Sequence, residues 1–208
     1  MAIKYFRIID KLPPYIKPPQ EAVFDFFKQV ANNVNLPIAI YNNPARVGVN
    51  ISPETMVNLS KIDNIVADKE AVSDVSQLQE IQNNTSDDFS LLCCDYPGYS
   101  LILPTLALGG AGTANVAGNI IPEEMAQLSQ PWNNQDDATR ARELYFELLP
   151  ILKLLYSVTN PVPVKAAVNL LGFNVGNPRL PLPTLSGAKL TELTNLLKGT
   201  GYLDKYSQ

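Results

Sequence analysis

The chain has 208 residues, a net charge of -4, a hydrophobic fraction of 46% and a charged fraction of 17%, the composition of a globular protein and not of a disordered or membrane-embedded one. Its sixteen basic residues form no stripe, which argues against nucleic acid as a partner. There is no histidine, so imidazole acid–base chemistry, His-based triads and His-ligated metal sites are excluded, and no metal site is expected.

The first stretch, MAIKYFRIIDKLPPY, is apolar in part but broken by Lys4, Arg7, Asp10 and Lys11, and it reads as neither a signal peptide nor a membrane span. From Gln20 to Val34 the apolar residues Ala22, Val23, Phe26, Phe27 and Val30 recur at helical spacing, predicting a helix with one buried face. Leu36 to Tyr41 is a short apolar run typical of a strand covered on both sides, and Asn42 to Gly48 reads as a loop. Ser52 followed by Pro53 is an N-cap with a first-turn proline, opening a helix through Leu59. A strand over Asn64 to Asp68, a helix over Asp74 to Gln82 and a strand over Phe89 to Cys93 follow. Leu101 to Leu108 reads as helix, Gly109 to Gly112 as a close turn, and Thr113 to Ala117 as a last strand.

After Asn119 only helices are predicted: a long amphipathic one over Asp136 to Tyr156, then Pro163 to Leu171 and Ser186 to Lys198, separated by Pro-rich links. Short apolar strands alternating with helices of similar length form the α/β pattern of a β/α barrel or a doubly wound sheet, and what the strand ends carry favours the barrel. The division expected is a barrel-like portion over 1–131 and a C-terminal helical region over 132–208. The adjacent cysteines, Cys93 and Cys94, cannot make a disulfide framework; they point to a reducing, cytoplasmic setting and read as small buried hydrophobes.

In a β/α barrel, reactive groups gather at the carboxyl ends of the strands. Tyr41, Lys69 and Asp95 lie at such ends. Burial of a lysine favours the neutral amine that attacks a ketone, and a tyrosine can pass protons where no histidine is available. From spacing alone, however, an exposed Lys69 paired with Glu70 is the simpler reading, and Tyr41 is as readily a core residue. Arg46 could hold a carboxylate through a bidentate pair or simply be solvated. The glycines of GGAG lack the spacing and the lysine of a phosphate loop.

Taken in order, PPYIKPPQEAVFDFF, LPIAIYNNPARVGVNISPET, NIVADKEAVSD, DFSLLCCD, LALGGAGTANVAGN, NPVPVKAAVNLLG and PRLPLPTLS resemble the dihydrodipicolinate synthase and N-acetylneuraminate lyase family. The resemblance implies a (β/α)8 TIM barrel, here a partial one covering strands 4 to 8 without the first three β/α units, followed by a C-terminal helical extension. It implies a Schiff-base lyase of the aldolase type, acting on pyruvate and an aldehyde without a further cofactor, with aspartate semialdehyde and lysine biosynthesis the nearest match.

By the same resemblance Lys69 of the KEA motif is the Schiff-base lysine. Tyr41 of the YNxP motif is the proton-relaying tyrosine, and Tyr15 is the tyrosine that a neighbouring subunit contributes. Arg46 matches an arginine that receives the aldehyde's carboxylate, and Thr113-Ala114-Asn115 replaces a pocket-lining pattern, which makes Asn115 a substrate-binding candidate. The chain departs from the family at Asp68, normally apolar and facing the outer helices, and at Cys93-Cys94-Asp95-Tyr96, which replaces a Ser-Gly-Asp-Asp-like stretch. Residues 1–12 match the usual fourth strand only approximately. Expected partners are a keto acid, an aldehyde, and either further copies of the chain or a complementing N-terminal chain; the alternatives are a non-catalytic family fragment or interaction protein, and a 2-keto-3-deoxy sugar acid aldolase.

Overall fold

The structure, a computed structural model, describes residues 8–94 and 99–208. Two compact units are present: one runs to Ala114 and includes Ser129–Asn133, and the other comprises Asn115–Leu128 and Asn134–Gln208.

In the first unit, strands β1 (Ile8–Asp10), β2 (Ile38–Asn42), β3 (Ile65–Glu70), β4 (Ser90–Cys94) and β5 (Gly112–Ala114) form, among the described residues, one sheet in chain order. All four pairings are parallel. Helices α1 (Gln20–Asn33), α2 (Pro44–Val47), α3 (Pro53–Leu59), α4 (Val75–Asn84) and α5 (Ile102–Ala107) lie in the connections, as parallel neighbours require a crossover. The short strand β1 pairs Ile8 with Ile38 and Asp10 with Ile40. The pairing holds although Asp10 interrupts the apolar pattern, because backbone hydrogen bonds carry a ladder and Asp10 is only half-buried.

The helices form where local chemistry asks for them. In α1, Val23, Phe27 and Ala31 are buried at a spacing of four, and each large side chain removed from water contributes about 1.5–3 kcal/mol. Ser52 caps α3 by accepting from the Thr55 N–H at 3.2 Å, with Pro53 in the first turn. Asp74 caps α4 in the same manner through Ser76. The GGAG segment is a close turn: a Cβ on Gly110 would stand 2.8 Å from the Thr105 carbonyl oxygen, a contact only glycine avoids.

Strand ends differ from the sequence expectation in a way that matters for the site. β2 and β3 extend to Asn42 and Glu70, beyond Tyr41 and Asp68, and β4 extends to Cys94. The final strand is shorter than expected, ending at Ala114, and residues expected to be loop form α2.

The second unit is helical: a 3-10 turn (Ala117–Asn119), α6 (Pro122–Leu128), α7 (Gln135–Leu154), α8 (Val162–Leu170), α9 (Gly187–Gly199) and α10 (Tyr202–Tyr206). Asn134 caps α7, accepting from the Asp136 and Asp137 N–H groups at 2.9 and 3.0 Å. Lys205 on α10 reaches both Glu123 and Glu124 of α6 at 2.8 Å, and the Tyr206 hydroxyl donates to Glu124 at 2.7 Å. None of the described helices is long and apolar enough to cross a membrane.

Candidate active site at the carboxyl ends of β2, β3 and β4

Side chains of a strand alternate between the two faces of its sheet, and register fixes which of them become neighbours. Ile40 pairs with Asp68, Tyr41 with Lys69 and Asn42 with Glu70; Asp68 pairs with Leu91 and Glu70 with Cys93. Asp68, Glu70, Asn42 and Cys93 therefore share one face, and Tyr41, Lys69 and Cys94 share the other. Glu70 is bonded to Gln77 of α4, so its face is the one the helices cover.

The helix-covered face is a closed polar network. Glu70 Oε2 accepts from Gln77 Nε2 at 2.8 Å and from Asn42 Nδ2 at 3.1 Å, while Oε1 accepts from its neighbour Ala71's N–H at 2.9 Å. Asn42 continues into the following loop, donating to Asn50 Oδ1 at 2.8 Å and accepting from the Ile51 N–H at 3.1 Å. Asn50 in turn donates to Gln77 Oε1 at 2.8 Å. The ends of β2 and β3, the 42–51 loop and the start of α4 are thus tied together through one carboxylate. Burial pushes the Glu70 carboxyl up to about 7, against the lowering effect of bonds from Asn42, Gln77 and Ala71.

Asp68 is fully buried on that same face, where its carboxyl meets the Glu70 carboxyl and, among the described residues, no other donor. Burial first, and then the adjacent Glu70, drive its carboxyl well above the usual carboxylate range. A buried carboxyl so poorly satisfied is costly.

The opposite face carries the candidate chemistry. Lys69 is half-buried, and its Nζ stands 4.2 Å from the centre of the Tyr41 ring, a cation–π geometry that contributes about 0.5–2 kcal/mol. The expected alternative, Lys69 paired with Glu70, does not occur. The two residues are adjacent in one strand and point to opposite faces, and among the described residues Lys69 is in no ion pair. The Tyr41 hydroxyl accepts from Asn43 Nδ2 at 2.7 Å and lies 3.3 Å from Cys94 Sγ. Cys93 and Cys94 are both buried free thiols, but they sit on opposite faces, and only Cys94 meets the tyrosine.

The remaining candidates are placed differently. Arg46 is exposed on α2, whose C-cap Gly48 adopts φ 87°. Tyr15 is 90% exposed with φ 85°, and its N–H donates to Val47 O at 3.2 Å, which joins its loop to the one carrying Arg46. A non-glycine residue held in that conformation costs on the order of 1–3 kcal/mol and marks a constrained loop. Asn115 belongs to the second unit, half-buried, where its Oδ1 accepts from the Gly118 N–H at 2.9 Å. The strand-end candidate Asp95 lies outside the described residues. A cleft of about 950 Å³ lies in the second unit along α7 and α9, with Lys153, Ser157, Thr191 and Glu192 on its walls; it is not where the reactive groups converge. Reasoning from sequence missed Asn43 and Cys94 as partners of Tyr41. The signal available for Cys94 was its departure from the family pattern.

Comparison with known proteins agrees with this layout. Residues 9–200 match the model of the Dihydrodipicolinate synthetase family. The 4-hydroxy-tetrahydrodipicolinate synthase of Archaeoglobus fulgidus is 41% identical over 186 residues, covering 89% of this chain and 63% of that protein. That of Methanopyrus kandleri is 44% identical over 177 residues, 84% of this chain and 57% of the relative. The crystal structure of dihydrodipicolinate synthase from Aquifex aeolicus superposes with a TM-score of 0.86 at 38% identity, over 93% of this chain and 65% of that one. This chain thus spans less than two thirds of these relatives. The parallel sheet with its crossover helices corresponds to the TIM-barrel structures of such synthases, and the chain belongs to the dihydrodipicolinate synthetase family.

Proposed function

We propose that Lys69 condenses with the carbonyl of a pyruvate-type 2-keto acid and that the chain carries the chemistry of a 4-hydroxy-tetrahydrodipicolinate synthase. The observation that supports this most directly is the half-buried Lys69 amine over the Tyr41 ring, at the carboxyl end of β3 and without a carboxylate partner among the described residues. The neutral amine is the form that attacks a carbonyl.

In this reading the Lys69 nitrogen adds to C2 of the keto acid and water leaves, giving an imine. Loss of a proton from C3 gives an enamine, which forms a carbon–carbon bond to the carbonyl carbon of an aldehyde such as aspartate semialdehyde. Hydrolysis or cyclisation then frees the lysine. Tyr41 moves protons at the nitrogen and the departing oxygen. Arg46, exposed on α2, whose Val47 carbonyl accepts from the Tyr15 N–H, receives the aldehyde's carboxylate. Tyr15, with its ring in solvent, serves the site of a neighbouring copy.

The test is reduction with borohydride in the presence of pyruvate, followed by peptide mass analysis. The expected product is a single reduced keto-acid adduct on Lys69. A soluble, folded chain that gains no adduct there would overturn the proposal.

A further inference from the structure

Two residues that the family motifs do not specify converge on the hydroxyl of Tyr41. Asn43 occupies the variable position of YNxP, and Cys94 stands within the stretch that departs from the Ser-Gly-Asp-Asp-like pattern. Asn43 Nδ2 donates to Tyr41 Oη at 2.7 Å, and Cys94 Sγ lies 3.3 Å from the same oxygen. Both partners are buried, Asn43 at 3% and Cys94 at 2% exposure.

Asn43 is also the N-cap residue of α2, a position where an asparagine side chain ordinarily accepts from the backbone of the first turn. Here it makes no cap hydrogen bond. Its amide is turned toward the tyrosine instead, and its Oδ1 is buried without a partner. Giving up a cap destabilises the helix start, and leaving a buried oxygen unsatisfied adds a desolvation penalty. The geometry favours the contact with Tyr41 over local helix stability.

We infer that Asn43 and Cys94 act as a clamp that fixes the direction of the Tyr41 hydroxyl. The inference rests on the proposed role of Tyr41 in proton transfer. The Asn43 amide fixes one direction at the hydroxyl oxygen and the contact with the Cys94 sulfur fixes a second. The ring itself meets Lys69, whose Nζ stands 4.2 Å from its centre. Both clamp residues are positioning residues: they act on a keto acid only through the tyrosine.

Two measurements on the full chain test this separately. The first is the rate of pyruvate capture at Lys69, trapped by borohydride, at saturating and sub-saturating pyruvate. Cys94→Ala and Asn43→Ala should slow capture at saturation roughly tenfold, because small misplacements of a reacting group carry large rate penalties, while the half-saturating concentration changes little. Cys94→Ser should restore most of the rate lost in Cys94→Ala, which simple cavity formation would not predict. Capture at the wild-type rate in both alanine variants would overturn the clamp.

The second measurement needs no keto acid. Tyr41→Phe keeps the ring, and therefore the access to Cys94, but removes the donor that stabilises its thiolate. Alkylation of Cys94 by iodoacetamide at pH 8 should slow about three- to tenfold, the factor an ordinary hydrogen bond supports, with Cys93 on the opposite face as internal control. An unchanged Cys94 rate would overturn the clamp. If the wild-type chain captures no pyruvate, the Schiff-base reading fails and the alkylation rates alone decide the clamp.

Discussion

The two faces of β3 treat their charged side chains in opposite ways. On the helix-covered face Glu70 is fully buried and both oxygens accept hydrogen bonds from Asn42, Gln77 and the Ala71 N–H. On the other face Lys69, one residue earlier, is half-buried against a tyrosine ring, with no ion pair among the described residues. The contrast teaches how a strand can present an amine without a counterion and still be rigid. Anchorage comes from behind, where the Glu70 carboxyl gathers β2, β3, the 42–51 segment and α4, and the front is left to the amine proposed to react.

Substitutions that remove one face at a time should separate chemistry from anchorage. The largest effect is expected at Lys69→Met. Loss of the nucleophile should abolish keto-acid capture, a fall of at least about 10³-fold, while the chemical denaturation midpoint stays close to that of the wild type. A parallel collapse of stability would show that Lys69 belongs to the anchor, and the contrast between the faces would fail.

Glu70→Ala should do the reverse. It removes one acceptor each from Asn42 Nδ2, Gln77 Nε2 and the Ala71 N–H, which keep bonds to Asn50 Oδ1, Ile51 O and Asn42 O respectively, so the cost is three net hydrogen bonds of about 0.5–1.5 kcal/mol each together with the emptied side-chain volume. The expected loss is about 2–4 kcal/mol of unfolding free energy at pH 5, measured by urea denaturation. A loss under half a kcal/mol would mean that the network is incidental.

Much of this layout was legible in the amino-acid order. The apolar runs located the strands, Ser52–Pro53 marked a helix start, the spacing of Val23 and Phe27 gave the buried face of α1, and the KEA and YNxP motifs brought Lys69 and Tyr41 to neighbouring strand ends. The division of labour at β3 was not legible, for a definite reason. The apolar run stops at Asp68, so a reading by hydrophobicity ends the strand there and leaves Lys69 and Glu70 in a loop, where adjacent side chains are free to pair. The backbone ladder continues to Glu70, and alternation then forbids the pair. The same one-residue shortfall at Cys93 hid Cys94 from Tyr41, since facing partners depend on register, a through-space property. The short helices α2, α6 and α10 were overlooked because segments of four to seven residues cannot form on propensity alone and owe their existence to packing.

Asp68 provides the smallest expected effect and the sharpest use of pH. It shares the closed face with Glu70, yet apart from that neighbouring acid no donor among the described residues reaches its oxygens, so it adds little to the anchor. Burial and the neighbouring charge raise its carboxyl well above the usual range, and Glu70 is raised to about 7. Folded-state values raised above those of the unfolded chain mean that the native state binds more protons in between. Stability from these groups is therefore complete below about pH 4, where even the unfolded carboxyls are protonated, and is lost as pH rises through the folded value near 7. Asp68→Leu removes a buried acid whose oxygens no donor besides Glu70 reaches among the described residues. It should raise the unfolding free energy by about 1–3 kcal/mol at pH 8, with the gain shrinking toward pH 4 and the slope of stability against pH flattening between them. Urea denaturation at pH 4.5, 6 and 8 checks this. A variant less stable than the wild type at pH 8 would show that Asp68 has a further partner in solution and belongs to the anchor after all.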